Sequence, residues 1–177
     1  MKHLIPISTL LLVSCGPALS QEPDWKEFAS KEGGFKVLML GAPRAEEQQV
    51  RSPAGPLVNR LFVTQTAKEE VVYLVSYAEY PEDALKQFSP EQILEAARTG
   101  TVENLKGKLA SDQKITLAQK HAGREFVVEI PNAAQYKARI YMVDRRLYQV
   151  VMVTASKELA TSKEAQKFFD SFTLLDR

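Results

Sequence analysis

The sequence predicts an α+β fold, a mainly antiparallel β-sheet covered by helices in an αβα sandwich. Three observations predict it. Strand-like segments come in two groups, and their hairpin-length connections make neighbours antiparallel. One long helical segment separates the groups. A second helix closes the chain with a stripe of phenylalanines, so both helices have a sheet surface to cover.

Residues 1–20 read as a leader. Lys2 supplies a positive start, Leu4 to Val13 form an apolar run too short to span a bilayer, and small residues follow. Two cleavage patterns overlap. Leu12-Val13-Ser14-Cys15 matches a lipobox, which makes Cys15 a lipidation candidate; Ala18-Leu19-Ser20 fits ordinary signal peptidase. Both patterns export the chain to the periplasm, cell envelope or extracellular space, and membrane attachment would rest on Cys15 alone.

Residues 21–32 are polar apart from Trp25 and Phe28, and read as a tether or a short helix laying Trp25 onto the domain. A single domain then covers 33–177. Gly33-Gly34 punctuates the entry to a strand over Phe35 to Leu40, ended by Gly41-Ala42-Pro43. Glu46 to Ser52 is an exposed strand, and Leu57 to Thr66 returns. Val71 to Tyr80 is apolar on both alternating faces, the pattern of a strand covered on both sides.

Ser89-Pro90-Glu91-Gln92 starts a helix, with Ser89 and Gln92 spaced as a capping box and Pro90 in the first helical position. Ile93, Leu94, Ala97, Gly100, Thr101, Asn104 and Leu105 share one face, and Gly100 is expected to approach the sheet closely. Four strands follow: Ala110 to Leu117, Arg124 to Ile130, Tyr136 to Val143 and Leu147 to Thr154. Pairing Ile130 near Tyr136 sets Phe126 against Ile140, Val128 against Ala138, Glu129 against Lys137 and Glu125 against Tyr141. Thr161 and Glu164 are spaced to cap the last helix, where Ala165, Phe168, Phe169 and Phe172 make a core-facing stripe.

Several of these motifs occur together in one family. Trp25 and Phe28 lead into Glu32-Gly33-Gly34-Phe35-Lys36-Val37 and Gly41-Ala42-Pro43, and Val71 to Tyr77 is a tyrosine-bearing strand. Gly123-Arg124-Glu125-Phe126, Arg145-Arg146-Leu147-Tyr148-Gln149 and Phe168-Phe169-Asp170-Ser171-Phe172 follow in order. This order resembles the PsbP-like superfamily of small αβα domains, especially its secreted bacterial members, over roughly residues 25 to 175. The resemblance implies the fold and a non-enzymatic, partner-binding or scaffolding role, with partners as different as photosystem II in plants and a small GTPase in eukaryotes. It transfers no functional residue, because the matched positions are turn glycines and core aromatics.

The inventory of reactive groups is poor. Cys15 is the single cysteine and lies at the leader's edge, so after removal of the leader no thiol nucleophile or Cys/His zinc site can be assembled. His121 is then the one histidine, read as a solvated residue of the Gln119 to Gly123 turn. Glu46-Glu47, Glu69-Glu70 and Glu82-Asp83 lack the spacing of a calcium loop, and Gly33-Gly34 precedes a strand rather than the helix a phosphate loop needs. No catalytic, cofactor-binding or metal residue is therefore assigned, and no cofactor is expected. The net charge of +1, with Lys2 lost in the leader, lacks the basic excess of a nucleic-acid binder.

What remains is surface. Lys106-Gly107-Lys108 and Arg145-Arg146 read as a helix end and a hairpin tip, or as basic spots that meet an anionic partner or lipid headgroups. Six tyrosines suit sheet packing as well as a binding cleft, and a binding surface would be sought among Tyr141, Arg139 and Arg124. The expected function is a non-enzymatic exported domain that binds an envelope protein partner or stabilises an assembly. The alternatives are a small-ligand module with a cleft between sheet and helix, and a hydrolase.

Overall fold

The computed structural model describes residues 24–52, 54–66, 68 and 70–175. The leader and Cys15 lie outside them. Trp25–Ser30 (β1) is a strand, not the tether or short helix expected for this segment. Tertiary pairing decides it: β1 runs antiparallel to Phe35–Leu40 (β2), with Trp25 opposite Leu40 and Ser30 opposite Phe35. The turn between them is tight. Gly34 takes φ +71°, and the Ser30 hydroxyl accepts from the Gly33 amide at 2.9 Å.

Arg44–Ser52 (β3), Gly55–Gln65 (β4) and Val71–Glu79 (β5) form one meander. Glu82–Gln87 (α1) and Pro90–Leu105 (α2) follow. Lys108–Leu117 (β6), His121–Ile130 (β7), Ala134–Val143 (β8) and Arg146–Thr154 (β9) form a second meander. The chain closes with Lys157–Ala160 (α3), Lys163–Asp170 (α4) and Thr173–Leu174 (β10). The large sheet has the order β3-β4-β5-β9-β8-β7-β6, and a small sheet the order β1-β2-β10. Antiparallel pairing of β5 with β9, Val71 opposite Thr154, joins the two meanders.

Side-chain chemistry explains the helix ends. The Ser89 hydroxyl accepts from the Gln92 amide, and the Gln92 side-chain oxygen accepts from the Ser89 amide at 2.8 Å, which completes the capping box. The α4 cap is Ser162 rather than Thr161: its hydroxyl accepts from the Ala165 amide at 3.1 Å. Thr161 is occupied as the C-cap of α3, a helix the sequence reading lacked.

Each face of the large sheet carries its own core. On one side Tyr73, Tyr148 and Val150 pack with Phe35 of β2 and with Phe168, Phe169 and Phe172. On the other, Ile93 and Leu94 of α2 pack with Phe126, Val128, Ile140 and Val151. Helices α2 and α4 thus lie against opposite faces. Each fully buried phenylalanine contributes roughly 1.5–3 kcal/mol of burial energy.

Two sequence expectations need correction. The β7–β8 register sits two residues from the expected one: Ile130 opposes Ala134, Phe126 opposes Ala138 and Glu125 opposes Arg139. A two-residue offset leaves every side chain on its predicted face, so the hydrophobic pattern alone could not detect it. Gly100 makes no close approach, because a Cβ there would find nothing within 4 Å. Gly123 is the crowded glycine: a Cβ would stand 2.6 Å from the Ile140 carbonyl oxygen.

Candidate functional site

The expected binding surface does not assemble. In β7 and β8, Arg124 pairs with Ile140 and Arg139 with Glu125, which puts the two arginines on opposite faces of the sheet. Both are engaged internally. Arg124 makes a two-bonded ion pair with Asp112, at 3.0 and 2.6 Å. Arg139 donates to Glu125 at 2.5 Å and to Asp170 at 2.7 Å, and lies 5.3 Å from the Phe169 ring centre. Tyr141 is buried and stacks on Phe172. Asp112 also pairs with Arg98 of α2 at 3.1 Å, and Asp170 belongs to α4, so these ion pairs tie both helices to the sheet.

His121 opens β7 opposite Leu117, rather than sitting within the turn. That position brings it to one end of the molecule, where three turns converge. The turns are Lys31 to Gly34 between β1 and β2, Ala118 to Lys120 between β6 and β7, and Asp144-Arg145 between β8 and β9. Strand parity accounts for two of them. In a meander, alternate turns fall at the same end of the sheet, so the β6–β7 and β8–β9 turns must be neighbours.

Two concave regions of about 500 and 540 Å³ adjoin there and share Gly34, Asp144 and Leu175. Lys31, Glu79, Arg145 and Arg146 border the first; Lys120, His121 and Tyr148 border the second. Arg146 is a structural bolt in this pole. Its Nη1 donates to the carbonyls of Glu32 and Gly33, at 2.8 and 3.1 Å, and its Nε donates to Glu79 at 3.2 Å. Arg145 also pairs with Glu79. Burial alone would raise the Glu79 carboxyl, but the ionic hydrogen bonds from Arg146 and Arg145 outweigh it and hold the group below its ordinary value.

The remaining cations are freer. Lys31 and Lys120 are exposed and make no ion pair among the described residues. Sequence reasoning found the Arg145-Arg146 tip but missed Lys31, Lys120 and Glu79. Strand parity could have found Lys120. Lys31 could not be found that way, because β1 belongs to the smaller sheet. The other basic spot, Lys106-Gly107-Lys108, ends α2: Lys106 takes φ +48° as its C-cap, and the Gly107 amide donates to the Val102 carbonyl.

The expected cleft between sheet and helix is also present, bordered by α2, β4 and β9. Among the described residues, no group of three or more His, Cys, Asp or Glu side chains is placed to hold a metal ion. No described helix is long and apolar enough to cross a membrane.

No protein-family model and no curated protein matches the sequence. The fold does have a counterpart among solved structures. The solution structure of cyanobacterial PsbP (CyanoP) from Synechocystis sp. PCC 6803 superposes with a TM-score of 0.58, covering 92% of this chain and 98% of that one at 13% sequence identity. The fold is PsbP-like. At this identity the likeness concerns the fold alone, so it leaves the pole's chemistry to be read from its own residues.

Proposed function

We propose that this chain is an exported, non-enzymatic accessory domain that binds an acidic protein partner of the cell envelope, or stabilises an assembly, through the three-turn pole. The observation that carries this reading is the placement of exposed Lys31, Lys120 and Arg145 around adjoining concave surfaces. Helices α2 and α4 pack against opposite faces of the large sheet whose ends carry two of those turns. Glu79 already pairs with Arg145 and Arg146, and Glu32 with Arg60 at 3.3 Å, so Lys31 and Lys120 are the cations that keep their charge for a partner, beside Asp144, which borders both surfaces. A partner presenting carboxylates would meet complementary charge there, which raises association rate and fixes orientation. The PsbP-like fold supports the non-enzymatic class only by analogy.

Affinity capture from the native envelope tests the reading. The wild-type protein is compared with a Lys31→Glu, Lys120→Glu, Arg145→Glu variant and with a Lys157→Glu, Lys163→Glu control at the opposite end. The expected result is a partner retained by wild type and control, lost from the pole variant, and released as salt rises. A partner held equally by all three proteins would overturn the assignment of the pole.

A further inference from the structure

The cleft between α2 and the sheet holds a feature that partner binding at the pole does not explain. Asn59 of β4 is only 6% exposed, and its side-chain oxygen has no hydrogen-bond partner. It lines a cleft of about 170 Å³, several times the ~30 Å³ share of one water in the liquid. A buried amide oxygen left unpaired costs stability, and a leucine at this position would avoid that cost.

The cleft's shape follows from small residues facing one another. Asn59 opposes Ala78 of β5, and Ala78 opposes Leu147 of β9, so these three form a row across the face under α2. Above this row α2 presents Ala96, Ala97 and Gly100. A Cβ at Gly100 would meet nothing within 4 Å, so helix and sheet do not close on each other here. The Thr101 hydroxyl donates to the Ala97 carbonyl at 2.8 Å, which turns its proton away from the cleft. Leu57, Ala78 and Leu147 supply a buried apolar floor.

We infer that this cleft binds a small uncharged molecule with an apolar body and one N–H or O–H donor, which the Asn59 side-chain oxygen accepts. The chemistry selects that class. The unmet group is an acceptor, so it calls for a donor and repels an anion. The floor offers no counter-charge, and Arg51, the one charged residue bordering the cleft, is exposed at its rim, so a charged ligand on the floor would be desolvated without compensation. Ser52, Tyr80, Thr101, Asn104 and Gln149 also border the cleft, so an apolar floor with polar groups around it gives the mixed lining usual for a small-molecule site.

Indole and benzofuran provide the test, being nearly the same shape with and without the donor. Each is titrated into ¹⁵N-labelled protein by NMR. Indole is expected to give saturable shifts at Asn59, Gly100 and their neighbours, and to bind at least about fivefold more tightly than benzofuran. Asn59→Leu should erase that preference. Gly100→Leu, which fills the cleft from the helix side, should abolish binding of both probes at a thermal midpoint no lower than that of wild type. It decides the matter even if Asn59→Leu does not fold. Equal binding of the two probes, shifts that cluster elsewhere, absence of saturable shifts, or full binding by Gly100→Leu would each overturn the inference.

Discussion

The Tyr148 hydroxyl donates to the carbonyl oxygen of Gly33 at 2.6 Å, tying the central strand of the large sheet to the first turn of the small one. The bond is buried, and Arg146 donates to the same carbonyl from the adjacent hairpin tip. Two sheets whose strands are far apart in sequence are thereby pinned at the pole where the proposed binding surface lies.

Removing that donor should loosen the pin without opening a large cavity. Tyr148→Phe is expected to lower stability by roughly 1–2 kcal/mol, because the Gly33 carbonyl keeps only the one bond from Arg146. Urea denaturation measures the change. A midpoint equal to wild type would show that the bond contributes nothing net.

The closing phenylalanines should matter more. Phe169 is 2% exposed and Phe172 is 3% exposed, with Phe172 in ring contact with Phe35, Tyr141 and Tyr148. Phe169→Ala and Phe172→Ala should each cost roughly 3–5 kcal/mol. Chemical denaturation of both variants checks this, and an effect below 1 kcal/mol would contradict the observed packing.

The two glycines should respond in opposite directions. A methyl group at Gly123 would crowd the Ile140 carbonyl and the Tyr141 ring, at 2.6 and 2.9 Å, so Gly123→Ala should destabilise by about 1–3 kcal/mol. Gly100 sits within α2 with open space around it, so Gly100→Ala should stabilise by about 0.5–1 kcal/mol. Thermal melts of the pair distinguish them by sign.

Acid should weaken the links between the helices and the sheet. Asp112 is held below its ordinary value, chiefly by its hydrogen bonds from Arg124 and also by the nearby charge of Arg98. Asp170 is lowered in the same way, first by Arg139. A carboxylate whose folded value is depressed stabilises fully above its unfolded value, about 3.9, and loses that contribution as pH falls through the folded value. Stability should therefore decline below about pH 4. Asp112→Asn should cost roughly 1–3 kcal/mol at pH 7 and progressively less in acid; a constant difference across pH would contradict this linkage.

Export is decided at the amino terminus. Mass spectrometry of the protein from its native host should find either a diacylglyceryl-modified Cys15 or an unmodified start at Gln21. An intact Met1 would remove the basis for placing the domain in the envelope.

Local chemistry was legible from the sequence wherever neighbours along the chain decide it. The Ser89–Gln92 capping box, the two-sided burial of Val71 to Glu79 and the phenylalanine stripe follow from spacing alone, because caps and amphipathic faces are set within a few residues. The binding regions were much less legible. The cleft was expected only as a place between sheet and helix, and the pole only as a basic hairpin tip.

Tertiary structure decided the rest. Trp25–Ser30 has too little alternation to announce itself, and becomes a strand only because β2 offers an open edge. The β7–β8 register was invisible because an even offset preserves both faces of the sheet. Arg124 and Arg139 appeared available as cations, yet Asp112, Glu125 and Asp170 meet them from elements that sequence alone does not align. Gly100, expected to approach the sheet closely, stands open, and Asn59, which no sequence pattern marks, is buried and unmet, for the same reason. Whether a glycine is crowded, or a buried amide unmet, depends on what packs opposite it, and that is fixed only when α2 is laid across the sheet.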